Sequence, residues 1–276
     1  MRTPAENAQL ALLLEVSGTP KPGNVDRDRN LPDLRFEEFL SGAVGAGAGL
    51  RAAEYESVGV AFERAVMGMA GDHGKNTQFG ALLLLTPLVR TASNDDLSPT
   101  GADHVVTNTT VEDAANFYRA FEQVDVFVSE PPEKYETLDV RRGGAAIPVV
   151  EEQGLTLLDV MALGDNEDDV AREWTGGFER SFAVAEWIGE LSGPLSDRAA
   201  TVFCEQLAEY PDTLVAKKHG KEVAKGVSKE VADALNDERE LKAVADGFVE
   251  QEINPGTTAD IVAAGLFIAL ERGIEA

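Results

Sequence analysis

The sequence predicts an all-α fold, and three observations predict it. Apolar residues recur at three- and four-residue spacing through most of the chain. The interruptions fall at Gly18, Gly164, Gly193-Pro194, Pro211 and Asn254-Pro255-Gly256, residues that end helices. Only two short β-branched runs, 124–128 and 146–150, compete, which leaves room for at most a minor strand pair. Together these describe one multi-helix domain over residues 1–276.

The elements follow in order. Residues 4–17 hold helix formers and a leucine stripe, then break at Gly18. Glu15 falls in the last turn of that helix, where the dipole disfavours a carboxylate, so a cation or metal is expected beside it; the alternative is a solvated glutamate. Asp33 is expected to cap a helix over 35–53. That helix is rich in glycine and alanine (Gly42, Gly45, Gly47, Gly49), which weakens it unless another backbone packs closely. Residues 57–70 form an amphipathic helix containing Glu63. The glycine-bracketed stretch 71–77 leads into an apolar helix over 78–92, with Asn76 or Thr77 as its cap and a possible anion site at its start. Residues 93–109 read as a polar loop. Thr110 and Asp113 have capping-box spacing and start a helix over 110–123. Residues 124–153 are the least helical part. Further helices are expected over 155–163, 167–190, 195–209, 213–235, 237–250 and 257–272, with Gly176-Gly177 kinking the second.

Composition excludes several classes. There are 49 acidic against 24 basic residues, a net charge of −25, and 43% hydrophobic residues. That hydrophobic content argues against disorder. A folded core under a carboxylate-rich, lysine-poor skin fits a high-salt cytoplasm, where repulsion is screened. The same charge disfavours nucleic acid. The run 79–89 is too short to span a membrane. With one cysteine, Cys204, no intrachain disulfide forms. Cys204 reads as a small buried hydrophobe, and His73, His104 and His219 as scattered surface or capping residues. The chain is expected to be cytoplasmic and is compatible with a homo-oligomer.

Chemistry concentrates at helix junctions. Thr19-Pro20-Lys21-Pro22-Gly23 cannot be helical, because each proline forces its predecessor out of the α region. Pro22-Gly23 suits a type II turn. The stiff loop carries Lys21, Asn24, Asp26 and Arg27, a set suited to gripping a phosphate–metal group; a plain connector is the alternative. Asn76-Thr77 is a second junction. A third is Asp212 through Lys217-Lys218-His219-Gly220, where Asp212 can cap a helix and the lysines can equally be surface residues. A fourth is Asn254-Pro255-Gly256 with Asp260 in the following helix.

These junctions, in this order and over nearly the whole chain, resemble the triphosphoribosyl-dephospho-CoA synthase family. Thr19-Pro-Lys-Pro-Gly23 with Val25-Asp-Arg27 is the most specific part, and the other three support it. The bacterial synthases carry Asn-Thr-His-Lys-Gly where this chain has Asn76-Thr77-Gln78-Phe79-Gly80. Nor is there a histidine two residues before Asp33. The run 76–87 is closer to an archaeal and methylotroph branch, some of whose members are tied to tetrahydromethanopterin-type C1 cofactor synthesis.

The resemblance implies an all-α fold and a transferase that moves the triphosphoribosyl unit of ATP, with Mg²⁺, to the ribose 2′-hydroxyl of dephospho-CoA and releases adenine. The transition state would be oxocarbenium-like. Lys21, Arg27 and Lys217 or Lys218 could neutralise phosphates, with Thr19, Gly23, Asn24, Asn76, Thr77, Asn254 and Gly256 completing the substrate contacts. Asp26, Asp33, Asp212 and Asp260 are candidate Mg²⁺ ligands. Glu15, Asp26 or Glu63 could serve as base or face the developing cation. Two other readings share these residues: a metal-dependent hydrolase of N-glycosidic or ADP-ribose-like bonds, and a nucleotide-binding protein that has lost its chemistry at Gln78 and Phe79.

Overall fold

The computed structural model describes residues 2–71 and 74–276. Fifteen α-helices lie among them: α1 Pro4–Ser17, α2 Phe36–Ala53, α3 Val58–Ala70, α4 Phe79–Ser93, α5 Pro99–Thr107, α6 Val111–Ala120, α7 Ile147–Gln153, α8 Leu157–Ala162, α9 Asp169–Thr175, α10 Glu179–Glu190, α11 Leu195–Glu209, α12 Thr213–His219, α13 Lys221–Ala234, α14 Glu238–Glu250 and α15 Gly256–Glu271. Two 3₁₀ stretches, Glu133–Leu138 and Val140–Ala146, precede α7. The described residues contain no strand, only an isolated bridge between Asp26 and Arg29. The expected all-α class holds. No helix among them is long and apolar enough to cross a membrane.

Four expectations need correction. Residues 93–109 are not all loop, since Ser98 accepts the Gly101 amide and Pro99 opens α5 at the one place a helix tolerates proline. The run 146–150 is helical instead of extended, because Pro148 sits in the first turn of α7 and removes a donor a strand would need. The helix expected over 213–235 breaks at Gly220, whose φ of +94° lies outside helical space. The helix expected over 167–190 is interrupted between α9 and α10, at the glycine pair foreseen as a kink.

The chain groups into two compact units, one of Met1–Gln9 with Ser41–Glu179, the other of Leu10–Leu40 with Arg180–Ala276. In the first, α2 and α3 touch backbone to backbone. A Cβ on Gly45 would lie 2.0 Å from the Gly68 carbonyl oxygen, and one on Gly49 would lie 2.1 Å from the Ala65 nitrogen. This close approach offsets the roughly 0.5–1 kcal/mol that each helical glycine costs relative to alanine. Phe62, Phe79, Phe117 and Phe121 pack edge-on or stacked with centroids 4.9–5.9 Å apart. In the second unit α15 is buried along almost its whole length. Its Gly265 admits the Val184 side chain, whose Cγ1 would be 2.2 Å from an added Cβ.

Candidate active site

In the second unit, the loop after α1 is a sealed polar knot. Lys21 to Asp26 are all buried. The Asn24 amide donates to the Lys21 carbonyl across 3.1 Å, closing a turn with Gly23 at φ +74°, as the Pro-Gly pair predicts. A side chain at Gly23 would also collide with the Ile253 carbonyl, 2.2 Å from an added Cβ. The Thr19–Pro20 peptide is cis.

Two charged residues hold the knot. The Lys21 ammonium, 1% exposed, donates to Glu15 Oε1 at 2.5 Å and to Asn24 Oδ1 at 2.9 Å, and lies 5.7 Å from the Phe203 ring centre. It is the cation that the position of Glu15 at a helix C-terminus called for. Burial pushes the Glu15 carboxyl above its ordinary value, Lys21 pulls it back, and the charge of Asp26 adds to the rise. Asp26, fully buried, accepts from Thr19 Oγ1, the Lys21 amide and Arg29 Nη1 through one oxygen, and from the Asp28 amide through the other. Arg29 is clamped from its far side by Asp246 at 2.6 Å. Arg27 stays exposed, donating to the Ser17 carbonyl at 2.9 Å and to Asp197 at 3.3 Å.

The knot is tied to the start of α15. Asn24 Nδ2 donates to Asn254 Oδ1 at 2.9 Å. Beside it, Asp212 caps two helices at once. Its Oδ1 accepts the Leu214 and Val215 amides of α12, and its Oδ2 accepts the amide and hydroxyl of Thr258 in α15. Burial raises the Asp212 carboxyl, and these four donors oppose that rise.

In the first unit the polar groups are less enclosed. Asn76 Oδ1 accepts the Phe79 amide at the start of α4, and its Nδ2 donates to the Asp125 carbonyl. The Thr77 hydroxyl oxygen is buried without a hydrogen-bond partner among the described residues. Gln78 and Phe79, the departures from the bacterial pattern, are both buried, and Phe79 belongs to the aromatic cluster. Glu63 on α3 is half-buried. Burial raises its carboxyl, Arg119 pulls it down, and Glu112 and Glu122 push it up again.

The predicted residues therefore separate. Glu15, Thr19, Lys21, Gly23, Asn24, Asp26 and Asn254 come together in one knot, but turned mostly inward. Asp26 and Asp212 each already accept four hydrogen bonds, so a metal there would have to displace them. Both carboxylates have a structural job in holding the loop and the helix starts. Lys217 and Lys218 lie in the last turn of α12, Asp260 is half-buried early in α15, and Asp33 is exposed ahead of α2. At the start of α2 the Phe36 amide donates to Asn30 Oδ1. Among the described residues no three His, Cys, Asp or Glu side chains converge as a metal cage. Asp72 and His73, in the stretch read as a possible anion site, lie outside the described residues. Cys204 is buried as expected, its thiol pushed up to about 12 by desolvation. The reading by sequence missed Arg29 and Asn30, whose only signal is the alternating run Asp26-Arg-Asp-Arg-Asn30.

The family model described as CitG, ATP:dephospho-CoA triphosphoribosyl transferase, matches residues 1–276. The chain belongs to that family. Its activity is accordingly the transfer of the triphosphoribosyl unit of ATP to dephospho-CoA, in agreement with the resemblance carried by the four junctions. A crystal structure from Archaeoglobus fulgidus, provisionally described as a triphosphoribosyl-dephospho-CoA synthase, is similar to this chain with a TM-score of 0.69 and 27% identity. The match covers 85% of this chain and 99% of that one. No curated protein matches the sequence at a significant level.

Proposed function

We propose two assignments for this transferase, each made within its own unit: Glu63 as base in the first, and the outward edge of the knot as a phosphate grip in the second. The observation that carries the first assignment is the contrast among three carboxylates. Glu15 and Asp26 are sealed and committed to internal partners, whereas Glu63 keeps an open edge and a raised pKa, the combination general acid–base work needs. In the reaction the bond between ribose C1 and the adenine nitrogen breaks, and adenine leaves with the electron pair and takes up a proton. The 2′-hydroxyl oxygen bonds to C1 and gives its proton to Glu63. No water or redox partner enters. Exposed or half-exposed donors in the second unit that could reach a triphosphate are Arg27, Lys217, Lys218 and Asn254, with Gly256 allowing close approach.

Mg²⁺ would arrive with ATP, its charge offsetting that of the phosphates. Because the phosphates supply several of its ligands, one or two protein carboxylates suffice. Asp33, which is exposed, and Asp260, which is half-buried, lie nearer solvent than the buried Asp26 and Asp212 and are the better candidates. We also infer a working environment of high salt, supported by the excess of 49 acidic over 24 basic residues.

A second acceptor is favoured by one observation: Phe79 is built into an aromatic core where the bacterial enzymes carry a lysine. A pterin precursor is the alternative that the archaeal-like run 76–87 suggests. Mass analysis of products from Mg-ATP in concentrated KCl, with dephospho-CoA in one arm and a pterin precursor in the other, tests this. The triphosphoribosyl mass added to dephospho-CoA supports the primary reading. Addition to the pterin alone overturns it.

A further inference from the structure

A buried ion pair in the knot, Lys21 with Glu15, sets the direction of an amide on its edge. An ammonium can only donate, so Lys21 Nζ, 2.9 Å from the Asn24 side chain, must face its oxygen. Asn24 must then turn its Nδ2 towards Asn254, 2.9 Å away, and Asn254 must answer with its oxygen. Each amide orientation follows from the one before it. The remaining group, Asn254 Nδ2, has no acceptor among the described residues, and Asn254 is half-buried at the mouth of α15. Its backbone is held too, because its carbonyl accepts the Gly256 amide at 2.9 Å. Glu15 anchors the other end by fixing the ammonium at 2.5 Å.

We propose that Asn254 presents this fixed N–H pair to an oxygen of the substrate's triphosphate, and that Glu15, Lys21 and Asn24 are positioning residues that act through it. The proposal rests on the transferase reading for its substrate, but its polarity argument does not. A lysine that looks like a phosphate ligand in the sequence thus works at one remove. It never meets the phosphate, and it dictates which end of an amide does.

Asn24→Asp tests the relay. The new carboxylate still accepts from Lys21, but it offers its second oxygen to Asn254, whose amide turns over and shows an acceptor to the phosphate. Binding of inorganic tripolyphosphate, measured by calorimetry on the full chain, should weaken about tenfold or more, the scale of a lost hydrogen bond to a charged group. The KM for ATP should rise by the same factor with kcat within about twofold, whereas a purely structural defect would lower kcat through the active fraction and leave KM in place. Asn254→Ala should match this loss. In the Asn254→Ala background, Asn24→Asp should have no further effect. A full effect of Asn24→Asp in that background would mean that the added charge acts directly, and would overturn the relay. So would unchanged tripolyphosphate affinity in Asn254→Ala, which decides the matter even if Asn24→Asp does not fold. Wild-type protein that binds tripolyphosphate but releases no adenine overturns the transferase reading alone. Failure to bind tripolyphosphate overturns this inference.

Discussion

The loop after α1 and the turn before α4 both carry the family's polar residues, yet they use them in opposite ways. In the loop, Lys21 and Asp26 are buried and satisfied by neighbours in the same knot. In the turn, the Thr77 hydroxyl is buried with no partner among the described residues, and Asn76 is only half-enclosed. A specific sequence motif therefore need not be a ligand-contacting one. A buried charge demands its own partners, and that demand constrains residue type as strongly as a substrate does. The residues best placed to touch substrate are instead those whose hydrogen-bonding capacity the fold leaves open.

Four substitutions separate the sealed loop from the more open residues, Lys21→Met most strongly and Thr77→Val least. Lys21→Met leaves Glu15 buried without its counter-charge and should cost about 3–5 kcal/mol. Urea titration in concentrated KCl measures it, and a loss below about 1 kcal/mol would show that the knot is not a buried ion pair in solution. Glu63→Gln should lower the turnover number by about 10²–10⁴-fold while the protein stays folded. Because burial raises the Glu63 carboxyl, the wild-type rate should climb with pH through a limb above the ordinary glutamate value, and the variant should lack that limb. The linked stability runs the other way. The folded state keeps the proton after the unfolded state has lost it, so unfolding free energy falls as pH rises from the unfolded pKa through the raised one, and Glu63→Gln flattens that slope. Asp212→Ala removes the caps of α12 and α15 together and should cost about 2–3 kcal/mol, the sum of two caps. A loss within a few tenths of a kcal/mol, seen in the same titration, would mean that the double cap does not hold. Thr77→Val has the smallest effect on stability, within about 1 kcal/mol and towards stabilisation, since it replaces an unpartnered hydroxyl with a methyl. Adenine release should nevertheless fall, and an unchanged rate would remove Thr77 from the substrate contacts.

Much of the fold is legible in the sequence because helices end where local chemistry says they must. The expected 4–17 and 195–209 coincide with α1 and α11, and Thr110 with Asp113 forms the foreseen capping box. Helix α5 was hidden because a polar stretch between apolar helices looks like a loop until Ser98-Pro99 is read as a cap followed by a first-turn proline. The site was legible in part. The turn at Pro22-Gly23 follows from two residues, and a cation beside Glu15 follows from the dipole. Burial of that cation does not, because it depends on Phe203 and on packing from distant helices. The pairing of Asn24 with Asn254 links residues 230 apart, and no local rule joins them.

A triphosphoribosyl transferase breaks the glycosidic bond of ATP only for an acceptor. Adenine release from Mg-ATP, followed by chromatography in concentrated KCl with and without dephospho-CoA, tests this directly. Release that requires dephospho-CoA and matches its consumption one for one is the predicted result. Release with water alone, or no release under either condition, would contradict it.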